Sequence, residues 1–181
     1  MPNAVLRRRL IGTRLVGDGV GVPSFSVPQA GAAVSGAVKS TVPVGQSAIL
    51  DTGTNILLLG SKTMQGLKGA MCADTSLAHC DDLWNNKCVT LTEAEQAAYP
   101  GLAMELSGGV TLEMSAKDYL LYGSPLAPSK DDICLGIRDG GSAGGSGFII
   151  GDTTMRNYYL VFDLMNKKIG WGPVSKQCGS I

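Results

Sequence analysis

The sequence predicts an all-β domain with a few short helices at its margins. Three observations predict it. Short apolar stretches alternate with polar residues at period two, which gives a strand one buried face. The chain carries 25 glycines, and its Asp-Gly and Gly-Gly steps fall between those stretches as hairpin turns would. Hydrophobic residues make up 44% and charged residues 17%, a balance that builds a core and argues against disorder. At 181 residues the whole chain, 1–181, fits one domain with a sizeable core.

The elements follow in order. Val5 to Val16 reads as a strand, Gly17-Asp18-Gly19 as a turn and Val20 to Val27 as the returning strand of a hairpin. A small-residue stretch, Gln29 to Lys39, leads into Thr41-Val42-Pro43-Val44 and an apolar run from Ala48 to Gly60. Ser61 is placed to cap a short helix whose apolar positions Met64, Leu67 and Met71 recur at helical spacing. A polar loop then carries Cys72, Cys80 and Cys88. Thr92 and Glu95 fit a capping box opening a helix that Pro100-Gly101 ends. Leu102, Met104 and Leu106 alternate with other residues, Gly108-Gly109 turns, and Val110, Leu112 and Met114 alternate again as a second hairpin. Gly140 to Gly147 reads as a flexible surface loop, since it lacks a following lysine and enters a strand, unlike a phosphate loop. Phe148-Ile149-Ile150 is a continuous apolar strand, and Tyr158–Asp163 with Lys168–Trp171 is a last hairpin around Met165-Asn166-Lys167.

Fifteen basic and fifteen acidic side chains cancel, so nothing invites nucleic acid as a partner. The locally basic start, Arg7, Arg8, Arg9 and Arg14, reads as a solvated strand face. No segment approaches the roughly 20 apolar residues of a membrane-spanning helix. Nor does the start read as a secretory signal peptide, because Leu10-Ile11-Gly12 is too short an apolar stretch. Five cysteines in a domain of this size point to an oxidising compartment, either secreted or in the endomembrane or vacuolar lumen. Three of them lie eight residues apart with His79 beside the second, but structural zinc uses tighter spacings, so no metal or other cofactor is expected. His79 reads as a solvated loop residue, and Trp84 and Trp171 as packing residues.

One carboxylate interrupts the apolar run. Asp51 stands between Ala48-Ile49-Leu50 and Ile56-Leu57-Leu58-Leu59, and a buried carboxylate is costly unless it is hydrogen-bonded. Thr52-Gly53-Thr54 supplies what it needs: Gly53 permits a tight turn and a close N–H, and the Thr54 hydroxyl can donate to a carboxylate oxygen. Those donors keep the carboxylate able to activate water. The bland alternative is an Asx-turn at a strand end, with Asp51 bonded to its own backbone. The core setting of the turn favours the functional reading.

A second segment joins it. Phe148-Ile149-Ile150-Gly151-Asp152, then Arg156-Asn157-Tyr158-Tyr159-Leu160-Val161-Phe162-Asp163, then Ile169-Gly170-Trp171, together with Ile49 to Thr54, resemble the C-terminal lobe of a pepsin-like aspartic peptidase. Arg8 to Gly17 is similar to the opening strands of that lobe, particularly in plant-type, nepenthesin-like members. The resemblance covers nearly the whole chain in order. It implies the single-lobe acid protease fold and peptide-bond hydrolysis by water activated between two aspartates, of which Asp51 is one. It implies that Gly53 and Thr54 orient Asp51, that Thr52 braces two lobes through its backbone, and that Ile49, Asn55 and Ile149 line the substrate site. It also pairs Cys88 with Cys134. Cys72 and Cys80 can then pair within their loop, leaving Cys178.

The departures matter as much. The chain holds one Asp-Thr/Ser-Gly motif where two-lobe members have two, and Asn55 replaces the usual hydroxyl residue. The expected partners are therefore a peptide or protein substrate and a second aspartate, from an N-terminal lobe or from a second copy of this chain. The uncovered lobe is expected to show apolar surface around Ile49, Ile149 and Ile150. The rival reading is a catalytically inactive pepsin-like binding or inhibitor protein, which the intact Asp51-Thr52-Gly53-Thr54 disfavours.

Overall fold

The structure is a computed structural model, and it describes residues 13–14, 20–28, 38–106, 109–141, 148–166 and 168–174. The basic start, the Gly17-Asp18-Gly19 turn, Cys178 and most of the Gly140–Gly147 loop lie outside those residues. So does most of the segment similar to plant-type members.

In chain order the strands and helices are β1 (Thr13–Arg14), β2 (Val20–Pro28), β3 (Val38–Leu50), β4 (Leu57–Leu59), α1 (Ser61–Cys72), α2 (Cys80–Trp84), α3 (Glu93–Ala98), β5 (Leu102–Leu106), β6 (Val110–Met114), α4 (Ala116–Tyr119), β7 (Leu120–Tyr122), β8 (Ile133–Leu135), β9 (Ile137–Asp139), β10 (Phe148–Ile150), α5 (Asp152–Met155), β11 (Tyr158–Asp163) and β12 (Lys168–Pro173). Strands dominate, as the period-two patterning requires. A seven-stranded sheet runs β6-β5-β2-β3-β10-β4-β9, beside a three-stranded sheet β1-β12-β11 and the pair β7-β8.

The β5–β6 hairpin forms as read, Leu102 opposite Met114 and Leu106 opposite Val110, with Leu102, Met104, Leu106, Val110, Leu112 and Met114 all buried. The β11–β12 hairpin forms as well, and Trp171 packs edge-on against Tyr158, ring centres 5.9 Å apart. Of the first hairpin only Thr13, Arg14 and the strand from Val20 are described. Thr13 and Arg14 pair with Ile169 and Lys168 at the far end of the chain, while β2 pairs with β3 and β5.

Helix α1 buries Thr63, Met64, Leu67 and Met71, one stripe of an amphipathic helix. Its cap is not Ser61, which is the first helical residue; the N-cap is Gly60, and the Ser61 hydroxyl donates to Asp139 Oδ1 at 2.9 Å. The cysteine loop contains a short helix, α2, whose Leu83 and Trp84 enter the core. Exposed His79 sits at its N-cap in the left-handed region, φ 55°. The Thr92–Glu95 capping box closes as expected, Glu95 N–H to Thr92 Oγ1 at 3.3 Å and Thr92 N–H to Glu95 Oε2 at 2.7 Å. A second capping box, Ser115–Asp118, opens α4 and was not read from the sequence. Disulfides join Cys72 to Cys80 and Cys88 to Cys134. Among the described residues no helix is long and apolar enough to cross a membrane.

The core lies on one face of the central strands, where Ala48, Leu57, Leu59, Ile137, Phe148 and Ile150 are buried in one cluster with Met64, Leu67 and Met71 of α1. Ile150 is therefore not part of an uncovered apolar surface: strand alternation turns it inward, and Ile49 and Ile149 outward.

Candidate active site

β3 and β10 run parallel, Ile49 beside Ile149 and Leu50 beside Ile150. At the end of that pairing the Asp51 N–H donates to the Ile150 carbonyl at 3.0 Å, which fixes where the chain leaves the sheet. It then turns sharply, the Thr54 N–H reaching back to the Asp51 carbonyl at 3.2 Å.

The turn aims one donor at each carboxylate oxygen. Gly53 N–H donates to Asp51 Oδ1 at 2.9 Å, and the Thr54 hydroxyl donates to Oδ2 at 2.7 Å. The Thr54 hydroxyl, and after it the Gly53 N–H, hold the Asp51 carboxyl below the usual carboxylate range; the slight opposing push from desolvation is outweighed. The Gly53 contact is the Asx-turn bond of the bland reading. The Thr54 contact goes beyond it. A β-carbon at Gly53 would lie 3.2 Å from Asp51 Oδ1, crowding the oxygen that the N–H serves.

A clamp from the second segment holds the turn. Asp152 N–H donates to the Thr54 carbonyl at 2.8 Å and Thr153 N–H to the Asn55 carbonyl at 3.1 Å. Gly151 makes this approach possible, since a β-carbon there would come within 2.3 Å of the carbonyl oxygens of both Thr54 and Ile56. On the other side the Leu57 N–H donates to the Gly136 carbonyl at 2.9 Å. A β-carbon at Gly136 would lie 2.8 Å from Thr153 Cγ2.

The structure thus brings together Asp51, Gly53 and Thr54. Ile49 and Ile149 stand side by side, half-buried, on the face from which Asp51 issues. The Thr52 and Asn55 side chains are exposed, and Asn55 takes part through its carbonyl. Sequence reading missed the roles of Gly136 and Gly151 in shaping the turn. Gly151 had a visible signal, a glycine between an apolar strand and an aspartate; Gly136, between β8 and β9, had only its position. Chemically, a partly exposed carboxylate with both oxygens hydrogen-bonded is a fixed anion that can accept a proton from water. A depressed pKa makes it a weak base alone, and a second carboxylate close by would change that.

Comparison with known proteins agrees with this geometry. The family profile for eukaryotic aspartyl protease matches residues 24–174. The chain is 30% identical over 132 residues to polyporopepsin of Irpex lacteus, covering 70% of this chain and 36% of that protein. It is 29% identical over 137 residues to pepsin A of Gallus gallus, covering 71% of this chain and 30% of that protein. Its fold matches the crystal structure of an aspartic proteinase from Irpex lacteus with a TM-score of 0.63 at 21% identity, over 93% of this chain and 48% of that one. The chain therefore spans half or less of each of these proteins, and its architecture is one lobe of the pepsin-like acid protease fold. By profile, fold and motif together, the chain belongs to the eukaryotic aspartyl protease family.

Proposed function

We propose that this protein is an aspartic endopeptidase to which residues 1–181 contribute the C-terminal catalytic lobe, with Asp51 as one of its two catalytic aspartates. The observation that carries the reading is the pair of donors on Asp51, one per oxygen, in a turn clamped by the backbone at Gly151. Such preorganisation fits a carboxylate that must keep one position while protons move around it.

In this reading the second carboxylate faces Asp51 from an N-terminal lobe or from another copy of the chain. Two carboxylates at that distance share one proton and titrate as a pair. The ionised member takes a proton from a water molecule, whose oxygen attacks the scissile carbonyl carbon. The protonated member gives its proton to the carbonyl oxygen, forming a gem-diol. As the C–N bond breaks, the carboxyl that took the water proton passes it to the departing nitrogen. The other carboxylate takes one back from a diol hydroxyl, leaving acid and amine. Gly53 and Thr54 hold Asp51, Thr52 braces the facing lobe through its backbone, and Ile49, Asn55 and Ile149 meet the peptide. The two disulfides suit an oxidising setting, outside the cell or in the endomembrane or vacuolar lumen. The test is cleavage of an acid-denatured protein by the active assembly and by its Asp51→Asn variant. Loss of cleavage with the fold retained supports the reading; cleavage that persists in the variant removes Asp51 from the mechanism.

A further inference from the structure

A row of outward side chains crosses the sheet away from Asp51. Ile49 pairs with Ile149, Ile149 with Leu58, and Leu58 with Arg138. Residues paired across strands project from the same face, and Asp51 follows Ile49 by two positions, so it issues from that face too. All four side chains of the row are half-buried, whereas Ala48, Phe148, Leu57 and Ile137, one step along each strand, are buried on the opposite face. Three apolar side chains therefore lead to a guanidinium. At about 4.8 Å per strand the row runs ~14 Å, a reach that about four residues of extended peptide cover.

Arg138 is not engaged as a surface arginine usually is. Its described side-chain bond goes from Nη1 to the neutral Asn86 Oδ1 at 2.6 Å. Among the described residues the ion pairs join Lys68 to Asp81, Lys87 and His79 to Asp82, and Arg156 to Asp118, and none includes Arg138. The adjacent Asp139 points the other way, holding the Ser61 hydroxyl and the Gly141 N–H. Partial burial also pushes the Arg138 pKa down, the mark of a cation with reduced access to water. A guanidinium fork beside an apolar strip matches a carboxylate carried on a short aliphatic stem.

We propose that Arg138 is a specificity residue, selecting peptide substrates that place an aspartate or glutamate side chain at the Leu58 end of this row. The proposal rests on the reading of Asp51 as catalytic, and its test separates the two. Peptides identical except for Glu, Gln or Lys at each position within five residues of the cleaved bond are compared by kcat/KM in the active assembly, for wild type, R138Q, R138K and R138E. The same peptides are titrated by fluorescence anisotropy against the Asp51→Asn form of each protein, and circular dichroism checks each fold. At one position wild type should favour Glu over Gln roughly tenfold, the gain of a charged hydrogen-bonded contact. That ratio should fall in R138K, approach one in R138Q and turn in favour of Lys in R138E. Cleavage with no Glu preference, or with a preference that R138Q and R138E leave unchanged, overturns the proposal while the peptidase reading stands. Glu-selective, Arg138-dependent binding without cleavage supports the proposal and removes the peptidase reading. Neither cleavage nor Glu-selective binding overturns both.

Discussion

Gly151 lies so close to Thr54 that a β-carbon on it would sit 2.3 Å from the Thr54 carbonyl oxygen. Both are backbone neighbours in the clamp on the Asp51 turn, so neither can yield without moving the carboxylate. Gly151→Ala is expected to cost ~3 kcal/mol or more, lowering Tm by roughly 6–12 °C, and to abolish cleavage. Gly69→Ala is the internal contrast. It lies within α1 with nothing inside 4 Å of the added carbon, and the substitution should stabilise by about 0.5–1 kcal/mol. Thermal unfolding of the two variants side by side checks this; equal effects would mean that the clamp does not hold the turn.

The Asp51 turn itself was legible because its chemistry is local: carboxylate, glycine and hydroxyl lie within four residues of one another. The strand from Phe148 to Ile150 was legible from its apolar run. What lay beyond reach was pairing between distant segments. Nothing near Thr13 announces Lys168 and Ile169 as its partners, and the Gly17-Asp18-Gly19 turn argued for a different one. The row from Ile49 to Arg138 depends on the register of four strands that are not consecutive, so no window of sequence contains it. Ser61 misled for a smaller reason: a serine at a helix start invites a capping role, but Asp139, a distant residue, competes for its hydroxyl. The Ser115–Asp118 box carried a readable signal that the flanking strands obscured.

Asp51→Asn should reduce kcat by several orders of magnitude in the active assembly, since an amide cannot exchange the proton that the reaction moves. Thr54→Ala should do less, roughly tenfold to a hundredfold, because one of two donors remains. Steady-state kinetics with circular dichroism on each variant checks the order. A Thr54→Ala loss as large as that of Asp51→Asn would assign Thr54 a role beyond positioning.

Thr54→Ala has a pH signature as well. The folded pKa of Asp51 lies below the ordinary value of 3.8, with the Thr54 hydroxyl as the first cause. A depressed folded pKa contributes stability that is complete above the unfolded value and is lost as pH falls through the folded one. Removing the hydroxyl raises the folded pKa, so the stability deficit of the variant should be full above about pH 4 and shrink at lower pH. Urea unfolding of both proteins from pH 7 to pH 2 measures it, and an NMR titration of the Asp51 carboxyl carbon should show the upward shift. A deficit that stays constant with pH would assign the loss to packing.

The two disulfides close loops of very different length. Cys88–Cys134 spans 46 positions and Cys72–Cys80 spans 8. On chain entropy the first stabilises by about 4 kcal/mol and the second by about 2.5 kcal/mol. Each pair has one buried member, Cys134 and Cys80, so the small cavity left by replacement does not separate them and loop length decides the ranking. Non-reducing peptide maps should recover both pairs. Urea unfolding should rank the Cys88→Ala/Cys134→Ala double variant below Cys72→Ala/Cys80→Ala, and the reverse ranking would contradict the entropic account.

Residues 1–181 expressed alone, as a dilute monomer, should not cleave peptides. The chemistry needs two facing aspartates, and this sequence holds one Asp-Thr-Gly-Thr turn. A lone carboxylate in an open half-cleft has no partner with which to share a proton, and nothing excludes bulk water from the substrate. The chain also has reason to associate. Besides half-buried Ile49 and Ile149, β11 and the turn after it expose Tyr159 (70%), Phe162 (47%), Leu164 (82%) and Met165 (96%), and such apolar surface favours self-contact. Cleavage of an acid-denatured protein near pH ~4, measured against chain concentration with sedimentation on the same samples, separates the cases. Activity rising with the square of concentration would place two copies of Asp51 in one site. Absence of activity at every concentration, restored by adding a lobe that brings its own aspartate, would make this chain half of a two-lobe enzyme. Activity linear in concentration, from a species that sediments as a monomer and is blocked by a transition-state analogue of aspartic peptidases, would refute the requirement for a second aspartate.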